Sequence, residues 1–240
     1  MNTATENRDS GLGIVFPGQG SQSVGMLSDL AERYPQVDET FSEASDMLGY
    51  DLWQLVSEGP AGELNKTDRT QPAMLAAGVA VWRVWLANEG PAPVVMAGHS
   101  LGEYTALVCA GSIAFADAVG LVAERGRCMQ RAVPEGSGAM AAVLGLDDET
   151  VIDVCRTVEE GSVVTAVNFN SPGQVVIAGD AGAVQRAIQL AKERGAKRAL
   201  QLPVSVPSHC DLMRPAAEQF AGHLNETTII SPDIPVLQNV

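Results

Sequence analysis

The sequence predicts an α/β protein, a layered sheet-and-helix body interrupted by a smaller unit of βαββαβ order. Three observations carry this. The first 130 or so residues alternate short apolar runs with longer segments that carry helix punctuation, as in an α/β layered sheet. From Gly136 onward the order changes to strand, helix, strand, tight turn, strand, helix, strand. Between them, "VVMAGHSLGEYTALVCAG" (94–111) sets a serine in a G-x-S-x-G turn with a strand pattern before it and a helix pattern after it.

The elements follow in order. "LGIVFPG" (12–18) reads as a buried strand ended by Pro17 and Gly18. "MLSDLAERYPQVDETFSEASDMLGYDLWQLVSEGP" reads as helices broken at Pro35 and Gly49. "TQPAMLAAGVAVWRVWLANEG" reads as a helix with Pro72 near its start and Gly90 past its end. "APVVMAG" is a strand, and helices are expected over roughly 101–110 and 114–132. The unit that follows has strands in "GAMAAVLGL", "VVTAVNFN", "VVIAGD" and "AKRALQLPVS", helices in "DDETVIDVCRTVEEG" and "AGAVQRAIQLAKERG", and a turn at "SPGQ". This is the ferredoxin-like split βαβ order. The expected division is therefore 1–133 with 207–240 for the larger subdomain and 134–206 for the inserted one. "VPSHCDLMRPAAEQFAGHL" reads as a turn and a helix, and "PDIPVLQNV" as one more strand.

Bulk composition narrows the function classes. At 240 residues, 46% hydrophobic and 18% charged, the chain has material for a sizeable core and no mark of disorder. No apolar run is long enough for a membrane span, and "MNTATENRDSGLG" lacks the basic start and apolar stretch of a secretory signal. A net charge of −14 argues against nucleic acid or anionic lipid as the main partner. "KERGAKRAL", with Lys192, Arg194, Lys197 and Arg198, is the densest basic cluster, either a solvated helix end or a docking patch. Four cysteines with no C-x-x-C pair point to reduced thiols in a cytoplasmic protein, without zinc or a redox pair.

The chemistry centres on Ser100. A Cβ at either flanking glycine would crowd a backbone that doubles back, so G-x-S-x-G suits a nucleophile elbow, although a structural turn with an incidental serine satisfies the same pattern. A serine hydroxyl needs a base within hydrogen-bond reach. Of the three histidines, His99 adjoins Ser100 and points away from it at a sharp turn, and His223 lies near the polar end of an amphipathic helix. His209, in "VPSHC" at a loop-to-helix junction, remains as the base, with a structural role as its alternative. Asp180 is the one carboxylate in triad context, but it falls inside the inserted unit, so a backbone or amide oxygen is the better orienter of the imidazole. An oxyanion hole would use the Leu101 N–H and a donor from "FPGQGSQ", with Gln19 the candidate; such a donor is worth roughly 2.7–4 kcal/mol in the transition state. The same loop fails as a dinucleotide fingerprint, because Ser23 stands where the third glycine belongs. Arg125 lies in the apolar stripe of Phe115, Ala118, Val122 and Met129, opposite Glu124, Arg127 and Arg131. A core-facing arginine meets either an internal carboxylate or a substrate carboxylate.

"VFPGQGSQ", "GHSLGEYTALVCAG", "NFNSPGQVVIAG" and "LPVSVPSHC" together resemble, in order and from about Gly11 onward, the malonyl-CoA:acyl carrier protein transacylase family of bacterial fatty-acid synthesis. The resemblance implies an α/β-hydrolase-like large subdomain with the ferredoxin-like insertion. It implies that Ser100 takes the malonyl group, that His209 is the base, and that Gln19 and Leu101 supply the oxyanion donors. It also implies that Arg125 binds the malonyl carboxylate and that Asn168, Gln174 and Arg198 contact pantetheine or CoA. No metal or resident cofactor is implied; CoA and the carrier's phosphopantetheine are substrate groups. Malonyl-CoA and acyl carrier protein are the implied partners. A serine hydrolase or thioesterase, or a carrier-binding fragment with little activity, are the alternatives. Proteins of this family continue past the position matching Val240 with a segment whose carbonyl orients the histidine. Low activity and self-association through an exposed edge strand are therefore expected of residues 1–240 alone.

Overall fold

The computed structural model describes residues 11–204 and 206–239, and these divide into two compact units. One runs to Gly126 and resumes at Gly222; the other spans Arg127–Ala221.

The first unit contains β1 (Gly13–Phe16), α1 (Ser28–Ala31), α2 (Pro35–Leu48), α3 (Leu52–Glu58), α4 (Ala61–Leu64), α5 (Thr67–Ala87), β2 (Val95–Gly98), α6 (Gly102–Cys109) and most of α7 (Phe115–Ala132). Val37, Phe41 and Ala44 bury one face of α2 at i, i+4 and i+7, with Pro35 opening the helix and Gly49 (φ +74°) closing it. That face joins the alanine-rich α5 and the start of α7 in the largest core, with Leu75, Ala80, Val119 and Val122 among its buried members. Pro72 does not sit at the start of α5. The helix begins at Thr67, where the Lys66 carbonyl already accepts from the N–H groups of Arg69 (2.8 Å) and Thr70 (2.7 Å), and the proline lies inside it. There it forgoes one helical hydrogen bond, to the Asp68 carbonyl.

The sheet of this unit is parallel, with β2 between β1 and a short β-strand at Val236–Leu237, which becomes β7 in chain order. Phe16 and Met96 bury against Ala106 of α6 and Ala110 just past its end on one face, while Val15 (78% exposed) and Leu237 (62%) lie on the row through Ala97. Buried Ser112 stitches the returning chain to the α6–α7 loop. Its Oγ donates to the Ile230 carbonyl (2.6 Å) and its own carbonyl accepts from the Ile230 N–H (3.0 Å). The strand expected from "PDIPVLQNV" shrinks to two residues, because β2 turns away at Gly98 and leaves no partner to extend along.

The second unit holds β3 (Gly138–Leu144), α8 (Asp148–Val158), β4 (Val164–Ser171), β5 (Gln174–Asp180), α9 (Ala181–Glu193) and β6 (Arg198–Gln201), followed by a 3-10 turn at Asp211–Met213 and the first part of α10 (Arg214–Glu226). Its sheet has the order β4-β5-β3-β6 with every pairing antiparallel, which realises the βαββαβ order read from the sequence. Alternate residues serve two cores. Ala139, Ala141, Val143, Val175 and Ile177 meet α8 and α9, whereas Met140, Val176 and Ala178 meet Cys210 and Leu212. Burial on both faces explains why these strands read as continuous apolar runs. The packing of Cys210 and Leu212 on the sheet carries this compact unit past the 206 boundary read from the sequence.

Candidate active site

The turn between β2 and α6 is the sharp one that its glycines require. A Cβ on Gly98 would overlap the backbone of Gly102 and Glu103, and one on Gly102 would overlap the Phe16 carbonyl. Ser100 between them has φ +51°, a left-handed conformation that costs a non-glycine residue about 1–3 kcal/mol and persists only where the surroundings over-determine it. The loop after β1 passes against this turn. The His99 N–H donates to the Phe16 carbonyl (3.0 Å), and a Cβ on Gly18 would lie 2.5 Å from the His99 carbonyl oxygen.

Leu101 is 1% exposed and caps α6 without a side-chain hydrogen bond. Among the described residues, neither its N–H nor that of Gln19 has an intramolecular acceptor, so both remain available to an oxyanion. Gln19 Nε2 spends one of its two N–H groups on Thr67 Oγ1 (3.0 Å), so Gln19 keeps its backbone N–H and one side-chain N–H as donors.

Arg125 is half-buried on α7, and its Nη1 donates to Oε1 of Gln71, which is fully buried on α5 (2.9 Å). Nη2 makes a long contact of 3.5 Å to Ser100 Oγ, and the guanidinium lies 5.7 Å from the Tyr104 ring centroid. Among the described residues no carboxylate pairs with it, so the internal salt bridge weighed for this arginine is not what holds it. Burial pulls the guanidinium below the usual arginine value, with Tyr104 opposing, and burial raises the Tyr104 hydroxyl. The guanidinium thus has a neutral amide on one side and the serine on the other, and its planar set of donors is of the kind that suits a carboxylate. As expected from the helix pattern, Arg127 and Arg131 are exposed.

In the second unit, His209 is exposed and has φ +67°. It lines a cleft of about 570 Å³ with Arg156, Glu159 and Thr165. The preceding Pro207 packs where a Cβ on Gly138 would sit. His99 is exposed, and His223 Nε2 lies 3.9 Å from Glu124. Asp180 Oδ2 accepts from the Val163 N–H (2.7 Å).

Gln174, Leu144 and Arg198 pair in one row across the sheet, and Asn168 pairs with Val176 beside a bulge. Directly paired residues share a face. Asn168, Gln174 and Arg198 therefore lie on the sheet face opposite α8 and α9. In the basic cluster, Arg194 pairs with Asp153 (3.2 Å), while Lys192, Lys197 and Arg198 are exposed.

Gln71, Tyr104, Glu103 and Asn239 join the Ser100 neighbourhood without having been singled out in the sequence. Only Glu103 left a local signal, an acidic residue in the first turn of the helix after the elbow. Gln71 and Asn239 come from distant elements and leave no periodic trace.

Comparison with known proteins fits this geometry. The pattern of the acyl transferase domain matches residues 14–239. The malonyl CoA-acyl carrier protein transacylase of Haemophilus influenzae is 65% identical over 228 residues, covering 95% of this chain and 73% of that protein. The Escherichia coli transacylase of the same name is 64% identical over 227 residues, covering 95% and 74%. Among solved structures, an acyl carrier protein S-malonyltransferase from Vibrio cholerae superposes with a TM-score of 0.91 at 61% identity, over 96% of this chain and 76% of that one. A malonyl-transacylase solved in complex with a type II polyketide acyl-carrier protein gives 0.93 at 60% identity, over 95% and 74%. Matched to the domain pattern over nearly its whole described length and about 65% identical to these transacylases, the chain belongs to the acyl transferase domain family.

Proposed function

We propose that this chain transfers a malonyl group from malonyl-CoA to the pantetheine thiol of an acyl carrier protein through a malonyl-serine. The observation that carries the reading is Arg125, half-buried and without a carboxylate partner among the described residues, 3.5 Å from Ser100 Oγ. A malonyl carboxylate lies one methylene beyond the acyl carbonyl carbon, so its binding group has to sit beside the nucleophile. The names of the relatives point to the same acyl group and the same carrier.

In this reading Ser100 Oγ attacks the thioester carbonyl while His209 accepts the hydroxyl proton. The new C–O bond pushes the carbonyl electrons onto oxygen, where the N–H groups of Gln19 and Leu101 meet the negative charge. The tetrahedral species collapses, the C–S bond breaks, and His209 returns its proton to the departing CoA sulfur. The carrier's pantetheine thiol then repeats the sequence on the acyl-serine, with His209 taking the thiol proton and returning it to Ser100. Both halves balance with proton transfers alone, so CoA and phosphopantetheine enter as substrate groups and no step runs through a metal or other cofactor. Asn168, Gln174 and Arg198 are read as contacts for the pantetheine arm, supported by their shared sheet face. Exposed Lys192 and Lys197 complete a basic patch with Arg198 for an acidic carrier. The inserted segment 134–206 is read as the subdomain that brings these groups. Free thiols at all four cysteines, three of them buried, suit a reducing compartment, which supports a cytoplasmic location. Among the described residues no helix is long and apolar enough to cross a membrane.

Intact-mass spectrometry after incubation with malonyl-CoA tests the reading. A single malonyl adduct that maps to Ser100 and is lost in Ser100→Ala is expected; an adduct that persists in the variant refutes the assignment. Discharge of the adduct to water at the rate seen with carrier protein would favour the hydrolase alternative.

A further inference from the structure

The parallel ladder between β2 and β7 pairs Met96 with Val236 and Ala97 with Leu237, then stops. Continued in register it would set Asn239 opposite His99. A parallel partner of His99 would donate to the carbonyl of the residue before it and accept from the N–H of the residue after it. The Asn239 side chain makes both of these bonds. Its Nδ2 donates to the Gly98 carbonyl (2.9 Å), and its Oδ1 accepts the Ser100 N–H (3.0 Å). The backbone N–H of Asn239 is thereby released from the ladder and donates to Glu103 Oε2 in the first turn of α6 (3.0 Å). Nδ2 donates to the same carboxylate oxygen. The orientation of the amide follows from its partners. A flipped amide would set oxygen against the Gly98 carbonyl and the Glu103 carboxylate, and NH2 against the Ser100 N–H.

We propose that Asn239 is a positioning residue for the nucleophile, its side-chain amide standing in for a sheet strand across the elbow and holding Ser100 in its left-handed conformation. On the other edge of the turn, the His99 N–H is fixed by the Phe16 carbonyl. Asn239 supplies the complementary hold, on the carbonyl before His99 and the N–H after it. The φ of Ser100 sets where Oγ points, so a serine freed of this hold relaxes toward an ordinary backbone and carries its hydroxyl off the attack line. Asn239 also gives the Glu103 carboxylate two N–H donors, so that this anion in the first turn after the elbow is satisfied.

The inference rests on Ser100 being the acylated residue, and the test separates the two. If wild-type protein fails to acquire malonate on Ser100, the proposed function fails, whatever the variants do. With that adduct established, Asn239→Ala is expected to lower the acylation rate about 10- to 100-fold, the scale of a misplacement near 1 Å. The KM for malonyl-CoA and the preference for malonyl over acetyl should stay within about twofold, because the Arg125 fork is untouched. Amide hydrogen exchange at Ser100 should accelerate in the same variant. Asn239→Asp is isosteric and guards against misfolding. It keeps an acceptor for Ser100 but loses the donor to Gly98 and sets two carboxylates together, so it should be at least as slow. Glu103→Gln added to Asn239→Asp should recover about tenfold by restoring one carboxylate and one amide. An acylation rate within twofold of wild type in Asn239→Ala, unchanged Ser100 exchange, or no recovery in the double variant would overturn the inference.

Discussion

Removing the Arg125 guanidinium should convert a malonyl-selective site into an indifferent one. In Arg125→Ala the substrate carboxylate would lose a two-pronged, charge-assisted partner in a half-buried setting. Truncating one member of a buried, hydrogen-bonded charge pair costs about 2–5 kcal/mol. Partial exposure places this site in the lower half of that range. About 3 kcal/mol corresponds to a loss of roughly 150-fold in kcat/KM for malonyl-CoA. Acetyl-CoA presents no carboxylate, so its transfer should change by no more than about threefold. Fold stability should move little, since Gln71 Oε1 loses one donor while a desolvated cation disappears, and these oppose each other. Arg125→Lys should restore only part of the selectivity, because an ammonium is a point charge that cannot serve Gln71 and a carboxylate in one plane. The assay is kcat/KM for both acyl-CoAs with holo carrier protein, beside a thermal melt. Equal losses for the two substrates would refute the fork and make Arg125 a structural residue.

Two further outcomes follow from the packing. Gly98→Ala should cost at least about 3 kcal/mol and abolish the acyl-serine, because the new Cβ overlaps the Gly102 backbone; Gly222→Ala, with open space around it on α10, should be neutral or stabilising by up to about 1 kcal/mol, and equal melts for the two would refute the close approach at the elbow. Burial pushes the Cys155 thiol up to about 12, above its unfolded value near 8.5, so its contribution is fully present below about pH 8.5 and lost as pH rises toward 12. Urea unfolding between pH 8.5 and 10.5 should show stability falling, with about 1.4 kcal/mol per pH unit of the slope absent from Cys155→Ala; an unchanged slope would exonerate this thiol.

The second unit was almost fully legible in the sequence, because its strands and helices are contiguous, amphipathic or doubly buried, and joined by short turns. "DDETVIDVCRTVEEG" shows why. Asp147 caps the helix by accepting the Thr150 N–H (2.7 Å), and Val151, Val154, Cys155 and Val158 repeat at helical spacing onto the sheet. The first unit was legible where glycines speak, at Gly98 and Gly102, and less so where tertiary packing overrode punctuation. Pro72 looked like a helix opener but is enclosed in α5, whose first turn is held by Lys66 and by Thr70 Oγ1, which donates to the Leu64 carbonyl (2.5 Å). The final strand was overextended because an apolar, β-branched run says nothing about how long its partner stays parallel to it.

The site divides in the same way. Ser100, Leu101 and Gln19 lie in short glycine-marked loops, so the backbone geometry that makes them useful is written beside them. Arg125 stood out because a charge interrupts an apolar stripe. Gln71 and Asn239 are polar residues in ordinary surroundings, and their partners lie 54 and 139 positions away. Both do what the glycines cannot. Small residues permit the left-handed serine and the close approach of α6 to β1, but permission lowers barriers without choosing a geometry. The choice comes from hydrogen bonds: the Phe16 carbonyl on one side of the turn, the Asn239 amide on the other, and Gln71 holding the guanidinium that faces the hydroxyl. A chain of net charge −14 cannot attract an anionic acyl-CoA through its overall field. On the proposed reading, recognition of the malonyl carboxylate therefore has to be local, from the half-buried guanidinium that Gln71 holds toward Ser100.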